Sequence, residues 1–478
     1  MAGCGVSFAV LNFFTMQQDV NTAVLGAAFN AWMAGASLRK SRLRNKRFTY
    51  GDQWGDLSVD SQGNVVTDYE RYAANGSAPV TNNLIRSLVR TIVGHYRAQY
   101  IEAEPVNKNL EKIAAYNELG ELDSRAMEEF LVSGCCVQRV DEDVVSGERQ
   151  VAVHNVNPNK FFVNAMTDVR SWDCEIVGQL HDLSVARLLQ RVARGSRRKA
   201  QWVRRLYTEN AVERASAYAQ TIGADTQSAA DFWHSAEPGK CRAIEVWTLE
   251  SREVAISHNR ATAQLAVEPA ATVRHRKPEA GVDVHWDIVT TWHCRWFSPM
   301  GDLLAEWDSP YGHRRHPFVM KFYPLTDGEV HSFVEGVIDQ QKHVNRMITM
   351  LDQIMASCAK GVLLYPETAL PDGFTWADVR QVWSSTGGIL PYSPHMGSEK
   401  PEQISANATN VGGYEMIKLQ MQMLEDVSGV SGALQGKATA GNNSAGLYNA
   451  QAENANMAMT DIYGTFTAFR RQRNALLG

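Results

Sequence analysis

The stretch closest to a reactive motif is a glycine-rich run, GALQGKAT, at residues 432–439. Such a run cradles nucleotide phosphates with its backbone N–H groups when a strand precedes it and a helix follows. Here three residues rather than four separate the glycines, no Ser or Thr directly follows Lys437, and a helix is expected before the run. The pattern therefore does not predict a nucleotide site.

Metal and nucleophile chemistry has no better support in the sequence. His293 stands beside Cys294 without a second such pair, and neighbouring residues of a strand point to opposite faces. The seven cysteines are scattered with no CxxC, which is typical of reduced thiols in an intracellular protein. HExxH, GxSxG and a helical cluster of carboxylates with histidine are absent. We predict no enzyme, no metal and no cofactor.

Basic residues form the clusters that could bind a charged partner. A predicted helix, capped by Asp182 or Ser184, carries arginines three or four positions apart on one face. Two predicted loops are also basic. The members are Arg187, Arg191, Arg194 and Arg198 on the helix, Arg274, Arg276 and Lys277 on the first loop, and His313, Arg314 and Arg315 on the second. The helix face can pair with acidic neighbours or contact DNA or an acidic partner, and the residues leave both open.

The overall charge limits what these clusters can do. The 478 residues carry a formal net charge of −5. This argues against a surface that binds nucleic acid everywhere, but it allows a basic ring inside a negative shell.

The apolar start lacks a basic segment, so we expect no signal peptide, and no later run approaches a membrane span. The length allows about two to four domains.

The element around which the chain is organised is a long predicted helix over residues 332–360. It contains no proline, its only internal glycine is Gly336, and its apolar residues recur at helical spacing. At 1.5 Å per residue it would span roughly 40 Å. Its polar face includes Lys342 and Arg346.

Shorter elements flank this helix. Helices are predicted at about residues 19–50, 81–100, 107–132, 414–427 and 445–477, and strands at 135–145, 149–158, 243–251, 283–298, 302–307, 318–323, 361–365 and 387–392. Thr81 or Asn82 is the expected N-cap of the second helix. We expect residues 210–240 to be a polar surface insertion, partly helical, and 393–410 to be a flexible polar segment. The fold class is α+β, mainly helical, with a β-rich segment inserted before the long helix.

A series of short motifs runs through the chain. The early ones are RFTYGDQW at 47–54, PVTNNLIRSLVRTIVG at 79–94 and VNPNKFF at 156–162; the later ones are DQQKHVNR at 339–346, PDGFTW at 371–376, GGILPY at 387–392 and VSGVSGALQG at 427–436. In this order they resemble the portal proteins of tailed bacteriophages, especially short-tailed phages. The resemblance covers residues from about 31 onward. Ser444-Ala445-Gly446 stands where the family usually has Ser-Gly.

The resemblance implies a portal fold, with a wing, a β-rich clip, a long stem helix and a tunnel loop, that assembles into a ring. Residues 1–180 would be the N-terminal part of the wing, and 181–240 would be a basic helical segment and insertion that could include a first stem helix. Residues 241–325 would be the clip and 326–360 the stem helix. Residues 361–427 would contain wing strands, a tunnel loop at about 393–411 and the following helix, and 428–478 would be a C-terminal helical wing or short crown. A long C-terminal barrel is not expected.

The resemblance also implies a function. A dodecameric ring would occupy one vertex of the virion, after assembly in the host cytoplasm, and double-stranded DNA would pass through it during packaging and ejection. The partners would be other copies of the chain, the large terminase, the major capsid protein, the scaffold and head–tail adaptor or tail proteins, without a membrane. Lys342, Arg346, Glu399 and Lys400 would line the channel, and the two basic loops would meet partners at the clip. Salt bridges to Glu335 or Asp339 of a neighbouring helix are the alternative for Lys342 and Arg346.

Two other classes of protein stay open. A different oligomeric head–tail connector is one, although connectors are usually much shorter and lack a β insertion between helical blocks. A DNA-packaging ATPase or nuclease is the other, and the failed phosphate-loop pattern argues against it.

Overall fold

The computed structural model describes most of the chain. It covers residues 5–60, 62–74, 78–101, 108–145, 148–207, 211–221, 230–260, 262–273, 281–360, 362–384, 389–393, 400–404, 412–430, 432 and 457–477. Within the helices and strands, side chains are described except at 5–19, 108–109, 144–145, 148, 356–360, 362 and 384.

Helices make up about half of the structure. They are α1 (Gly5–Ala34), α2 (Ala36–Tyr50), α3 (Asp68–Ala74), α4 (Leu84–Tyr96), α5 (Lys108–Tyr116), α6 (Leu119–Ser133), α7 (Val185–Ala193), α8 (Arg197–Leu206), α9 (Ala211–Thr221), α10 (Ala230–Trp233), α11 (Ala270–Val273), α12 (Phe333–Lys360), α13 (Trp376–Ser384), α14 (Gly413–Ser428) and α15 (Thr460–Leu477). The long predicted helix is confirmed as α12. In the described part of the chain, no helix is both long and apolar enough to cross a membrane.

The strands pair antiparallel throughout the described sheets. They are β1 (Leu57–Val59), β2 (Val65–Thr67), β3 (Cys135–Val145), β4 (Glu148–Asn155), β5 (Phe161–Val163), β6 (Ile176–Leu183), β7 (Cys241–Asn259), β8 (Leu265–Pro269), β9 (Val282–Phe297), β10 (Leu303–Asp308), β11 (Phe318–Phe322), β12 (Pro324–Thr326), β13 (Glu329–Val330), β14 (Val362–Leu364) and β15 (Glu402–Ile404).

The chain folds into two compact units. The first consists of the described parts of Met1–Lys46, Leu88–Gly336 and Ala433–Gly478, and the second of those of Arg47–Ser87 and Val337–Gly432. Helices α2, α4 and α12 therefore contribute residues to both units.

The first unit is built on a six-stranded sheet in the order β10-β9-β7-β6-β5, with β8 attached to β7. Trp247 and Trp296 from its two longest strands are fully buried, and helices α7 and α8 contribute Leu188 and Val203 to the same core. A second sheet has the order β11-β3-β4. Strands from the β-rich segment at 241–325 thus pair with earlier strands, because β7 pairs with β6 and β11 with β3. That segment is not a separate sheet.

The expected surface insertion at 210–240 is wrong for its C-terminal part. Phe232 and Trp233 in α10 are fully buried. Their rings contact Phe29 and Trp32 of α1, with centroids 5.4 Å apart for Phe29–Phe232 and 5.5 Å for Trp32–Phe232. Two adjacent aromatic side chains remove a large apolar area from water, and this outweighs the polar composition around them.

The predicted basic helix is two helices. Ser184 caps α7 as expected, accepting a hydrogen bond from the Arg187 N–H, but the helix ends at Ala193 because the next residue, Arg194, is left-handed with φ 44°. Gly195 follows with φ 83°, and Ser196 caps α8. The expectation of one continuous basic stripe was wrong because a left-handed pair of residues changes the chain direction between Arg191 and Arg198.

The second unit contains residues 337–360 of α12 together with β14, α13, β15 and α14. Part of the polar segment at 393–410 is ordered as β15, which pairs with β14; residues 394–399 and 405–411 lie outside the described residues. The strand predicted at 387–392 is not observed over 389–392. Pro391 has no N–H for a sheet ladder, and Ile389 is exposed.

Candidate functional site

One row of polar side chains on α12 is buried. Gln341, Asn345 and Thr349 lie four residues apart, which places them on the same face of the helix, and each has at most 1% of its surface exposed. A buried amide is costly unless it is hydrogen bonded. The row must therefore have partners within the second unit.

The Gln341 side chain hydrogen bonds to backbone N–H groups at the start of helix α4. Its Oε1 accepts from the backbone N–H groups of Leu84 at 2.9 Å and Ile85 at 3.2 Å. The first N–H groups of a helix have no partner within the helix, so a side chain from a distant part of the sequence satisfies them here.

The N-cap of α4 is Asn83, whose Oδ1 accepts from the Arg86 N–H at 3.1 Å. The prediction of Thr81 or Asn82 was wrong because both have other partners. Thr81 Oγ1 accepts from the indole N–H of Trp54 at 3.0 Å, and the backbone of Asn82 pairs with α12.

Asn345 joins this helix start to the turn after α2. Its Nδ2 donates to Gln53 Oε1 at 2.6 Å, and its Oδ1 accepts from the Asn82 N–H at 3.0 Å. Gln53 in turn donates to the Phe48 carbonyl at 2.8 Å. The turn needs Gly51, whose φ of 102° is strained for other residues. We call Gln53, Asn82, Asn83, Gln341 and Asn345 the α12 polar cluster; it unites three of the motifs quoted from the sequence.

The cations of α12 lie beside this cluster. Lys342 Nζ is 2.6 Å from Asp56 Oδ2 and 3.5 Å from Asp68 Oδ2, and Arg47 also pairs with Asp56 at 2.9 Å. Arg346 reaches Asp68 only at 4.0 Å, and 37% of its side chain is exposed, against 18% for Lys342. Carboxylates of the same chain therefore hold Lys342, whereas Arg346 is more accessible.

The other two predicted channel residues precede β15. Lys400 is exposed. Glu399 lies outside the described residues, and its carboxylate would add negative rather than positive charge to a channel wall. The structure thus places Arg346 and Lys400 in the second unit as the more exposed cations of the predicted set.

The outer part of the β7–β9 hairpin, with β8 beside it, forms a second candidate surface. We call residues 252–259, 265–269 and 282–290 the hairpin arm. Val284, Trp286 and Ile288 alternate along β9, so they share one face, and each is about half exposed. By contrast, residues 292–297 at the base of β9 are buried. The arm therefore carries an apolar row that the described part of the chain leaves about half exposed.

Charged residues brace the base of the arm. The two terminal nitrogens of the Arg252 guanidinium donate to the two carboxylate oxygens of Asp308, with the NH1–Oδ2 distance at 2.7 Å. His293 Nδ1 lies 2.7 Å from Asp308 Oδ1. These hydrogen bonds, that of Arg252 first, lower the pKa of Asp308 to about 2.

The two predicted partner-binding loops have different outcomes. Arg274, Arg276 and Lys277 lie outside the described residues. In the loop between β10 and β11, Arg314 and Arg315 are exposed, and His313 stacks on Tyr311 at 5.2 Å. Burial, followed by the charge of Arg315, lowers the pKa of His313, so it adds little positive charge at neutral pH.

The basic residues of α7 and α8 are not one surface. Arg191 bonds Asp141 Oδ2 at 2.6 Å, and the guanidinium of Arg194 lies 4.1 Å from the centre of the Trp307 ring. The exposed members of the predicted set are Arg187, Arg194 and Arg198. Of the two interpretations of the arginine face, pairing with acidic neighbours therefore applies to Arg191.

Sequence reasoning missed a buried ion cluster where β3, β6 and β7 meet. Arg139 bonds both Glu245 and Asp141, and His181 Nε2 lies 2.7 Å from Glu245 Oε2. Burial opposes ionisation of Glu245, but Arg139 and His181 hold its pKa well below the ordinary value. Burial lowers the pKa of His181. The sequence did contain one sign of this cluster, because Glu245 lies at an inward position of the Val- and Trp-rich strand β7.

The described side chains bring together no group of three His, Cys, Asp or Glu residues that could hold a metal ion.

In a comparison with protein families, the model described as "Phage P22-like portal protein" matches residues 25–475. No curated protein matches the chain.

Proposed function

The chain belongs to the family of phage P22-like portal proteins, and we propose that it works as a dodecameric ring at one capsid vertex. Portal proteins are structural components of the tailed-phage virion. In our proposal, double-stranded DNA is packaged through this ring by the large terminase and is later ejected through it. The ring also assembles with the major capsid protein and scaffold and receives the head–tail adaptor or tail proteins.

The observation that carries this proposal is the family match over residues 25–475. The α12 polar cluster supports it independently. The motifs on which the resemblance depends lie at residues 47–54, 79–94 and 339–346, and their side chains meet in one hydrogen-bonded cluster. Motifs that must fit each other physically make a chance resemblance a poor explanation.

We assign the parts of a portal as the resemblance implies. Residues 326–360 are the stem helix, 241–325 the clip that meets terminase and adaptors, and about 393–411 the tunnel loop. Residues 1–180 form the N-terminal wing, 181–240 a basic segment, and 428–478 a C-terminal wing or short crown. The half-exposed apolar row on the hairpin arm supports the clip assignment, because an exposed patch rich in aromatic and branched side chains suits a protein contact.

In this proposal Arg346 and Lys400 face the DNA. Lys342 contributes less, because Asp56 and Asp68 already pair with it. Repetition around a ring would turn each exposed cation into a positive ring on a particle whose subunits are net negative. Such rings attract the DNA backbone without reading its sequence. The carboxylate of Glu399, next to Lys400, would weaken that attraction. Since a conduit must release DNA, a few weak phosphate contacts serve it better than a tight binding site.

Packaging into heads that carry the double variant Arg346→Glu with Lys400→Glu tests this assignment. Both side chains are exposed or partly exposed, so the rings should form normally while the fraction of DNA-filled heads falls at least about tenfold. Lys112→Glu, an exposed charge reversal on α5, is the matched control. Normal filling of heads with the double variant would reject the channel assignment. Lys342→Glu is unsuitable because it would place a third carboxylate beside Asp56 and Asp68.

A further inference from the structure

A cleft in the first unit lies between the loop after β5, strand β11 and helix α15. Its volume is about 240 Å³. Trp172, Arg170 and Arg315 lie along its lining from the loops. Leu476 of α15 contributes partly exposed apolar surface, and Met320 of β11, only 2% exposed, lies beneath it at the floor. Pockets for drug-sized ligands usually hold about 300–1,000 Å³, so this cleft suits one or two side chains of a peptide.

The loop that carries Trp172 is held in place before any ligand arrives. Asp173 Oδ2 accepts from the N–H groups of Thr167 at 2.6 Å and Asp168 at 3.0 Å. Arg170 donates to both oxygens of Asp168, at 3.0 and 2.8 Å. Its guanidinium lies 3.7 Å from the centre of the Trp172 ring, although 65% of Trp172 stays exposed. An aromatic side chain fixed in this way loses little conformational entropy on binding.

The charge of the cleft comes from Arg315. This residue is exposed and forms no ion pair with any described residue, whereas the charge of Arg170 is balanced by Asp168. Burial, followed by the charges of Arg315 and His313, lowers the pKa of His316 to about 3, so the imidazole is neutral at physiological pH. A positive group beside an apolar floor thus faces solvent on a chain of net negative charge.

We propose that this cleft binds an acidic peptide segment of a partner protein, with an apolar side chain of the peptide seated against Met320 and Leu476. A carboxylate of the peptide pairs with Arg315, and Trp172 covers the peptide from the side. Arg–carboxylate contacts next to an aromatic anchor are typical of residues that dominate binding energy. The proposal does not depend on passage of DNA through the ring.

The same features argue against nucleic acid as the occupant. Binding of a phosphate backbone draws on several cations in register, and one lining cation of this cleft is already balanced by a carboxylate. A phosphate chain would also leave the apolar floor uncovered. A concave apolar site with one unpaired cation fits a carboxylate and an apolar group close together.

Fluorescence anisotropy with defined peptides on the full-length protein tests the proposal. The probe is fluorescein-labelled GEEDLFDEEG; one control peptide has Ser in place of Leu and Phe, and the other has Gln and Asn in place of the acids. We expect a Kd below about 100 μM for the probe and at least about tenfold weaker binding of each control. A labelled single-stranded dT12 should bind more weakly than the probe.

Two neighbouring charge reversals locate the binding. Arg315→Glu should weaken probe binding at least about tenfold, whereas Arg314→Glu, on the same loop but outside the cleft lining, should change it less than about twofold. Leu476→Gln tests the floor and should also weaken binding. The proposal is overturned by no saturable binding up to about 1 mM, by equal effects of the two reversals, or by tighter binding of dT12 that Arg315→Glu abolishes.

Discussion

In the second unit, α12 presents buried amides to two other segments of the same chain, and each amide finds a partner. In the first unit, the hairpin arm carries Val284, Trp286 and Ile288, each of them about half exposed. The polar side chains of the first region form their hydrogen bonds within the same chain. The second leaves part of its apolar surface exposed, which in our proposal serves contact with another protein.

The difference also separates two kinds of motif residue. Gln53, Asn82 and Asn345 are polar residues whose spacing made the family resemblance visible, yet their contacts are structural. The proposed channel and partner surfaces would depend instead on more accessible residues, such as the partly exposed Arg346 at the end of the 339–346 motif and Trp286 outside the motifs. The buried motif residues therefore mark how the subunit is held together.

The largest expected effect is at Asn345. Asn345→Ala leaves Gln53 Oε1 buried without its donor and removes the acceptor of the Gln341 Nε2 and Asn82 N–H groups, and each loss of a buried partner costs about 1–3 kcal/mol. We predict that the free energy of unfolding falls by about 3 kcal/mol, measured by urea denaturation of the unassembled subunit. Asp339→Ala, at an exposed position of the same helix, should cost less than about 0.5 kcal/mol. Equal effects of the two variants would contradict the central role of the cluster.

A smaller loss is expected at Lys342. Lys342→Met keeps the aliphatic stem but removes the cation shared by Asp56 and Asp68, which are largely buried carboxylates. Arg47 and Arg346 still balance part of this charge, so we predict a loss of about 1–2 kcal/mol in the same denaturation measurement. If Lys342→Met left stability unchanged but reduced packaging, Lys342 would belong with the channel residues instead.

The hairpin arm should respond in the opposite way. Trp286→Ser removes an exposed ring, so we predict a change in subunit stability below about 0.5 kcal/mol. Binding of the large terminase to assembled rings should weaken at least about tenfold, by surface plasmon resonance. Leu57→Ser, an exposed apolar residue on β1 of the second unit, serves as the control. A stability loss at Trp286 as large as at Asn345 would remove the contrast between the two regions.

The smallest effect is a pH dependence at the base of the arm. Hydrogen bonds from Arg252 and His293 lower the pKa of Asp308 from 3.8 to about 2. A lowered carboxyl pKa contributes stability above the ordinary pKa, and this is lost as the pH falls from about 4 towards 2. Because Asp308 is largely exposed, we expect Asp308→Asn to cost only about 0.5 kcal/mol at neutral pH. That difference between wild type and variant should shrink through the acid range; a constant difference would exclude the linkage.

Periodicity predicted the elements whose burial follows a simple pattern. The α12 helix and the β3 and β9 strands appear close to their expected bounds, because apolar side chains there recur at one period. Strand β7 instead extends to Asn259, eight residues beyond the expected end at 251. Local pattern could not predict that Phe232 and Trp233 pack against α1, because that outcome depends on partners distant in sequence. The strand expected at 387–392 failed for a local reason that the sequence did contain, since Pro391 has no N–H for a sheet ladder.

The candidate residues were predictable by type but not by surroundings. Lys342 and Arg346 occupy neighbouring turns of α12, and only contacts with Asp56 and Asp68 distinguish them. Arg315 was one of several basic residues in its loop, and the cleft beside it is formed by side chains from residues 170–172 and 472–476. No spacing rule in the sequence joins segments so far apart.

The central claim is that this chain builds a portal ring, and negative-stain electron microscopy of the purified protein tests it most directly. We predict rings with a central hole and about twelvefold symmetry, formed by the protein alone or after co-expression with scaffold and major capsid protein. A protein that stays a compact monomer under both conditions would contradict the account.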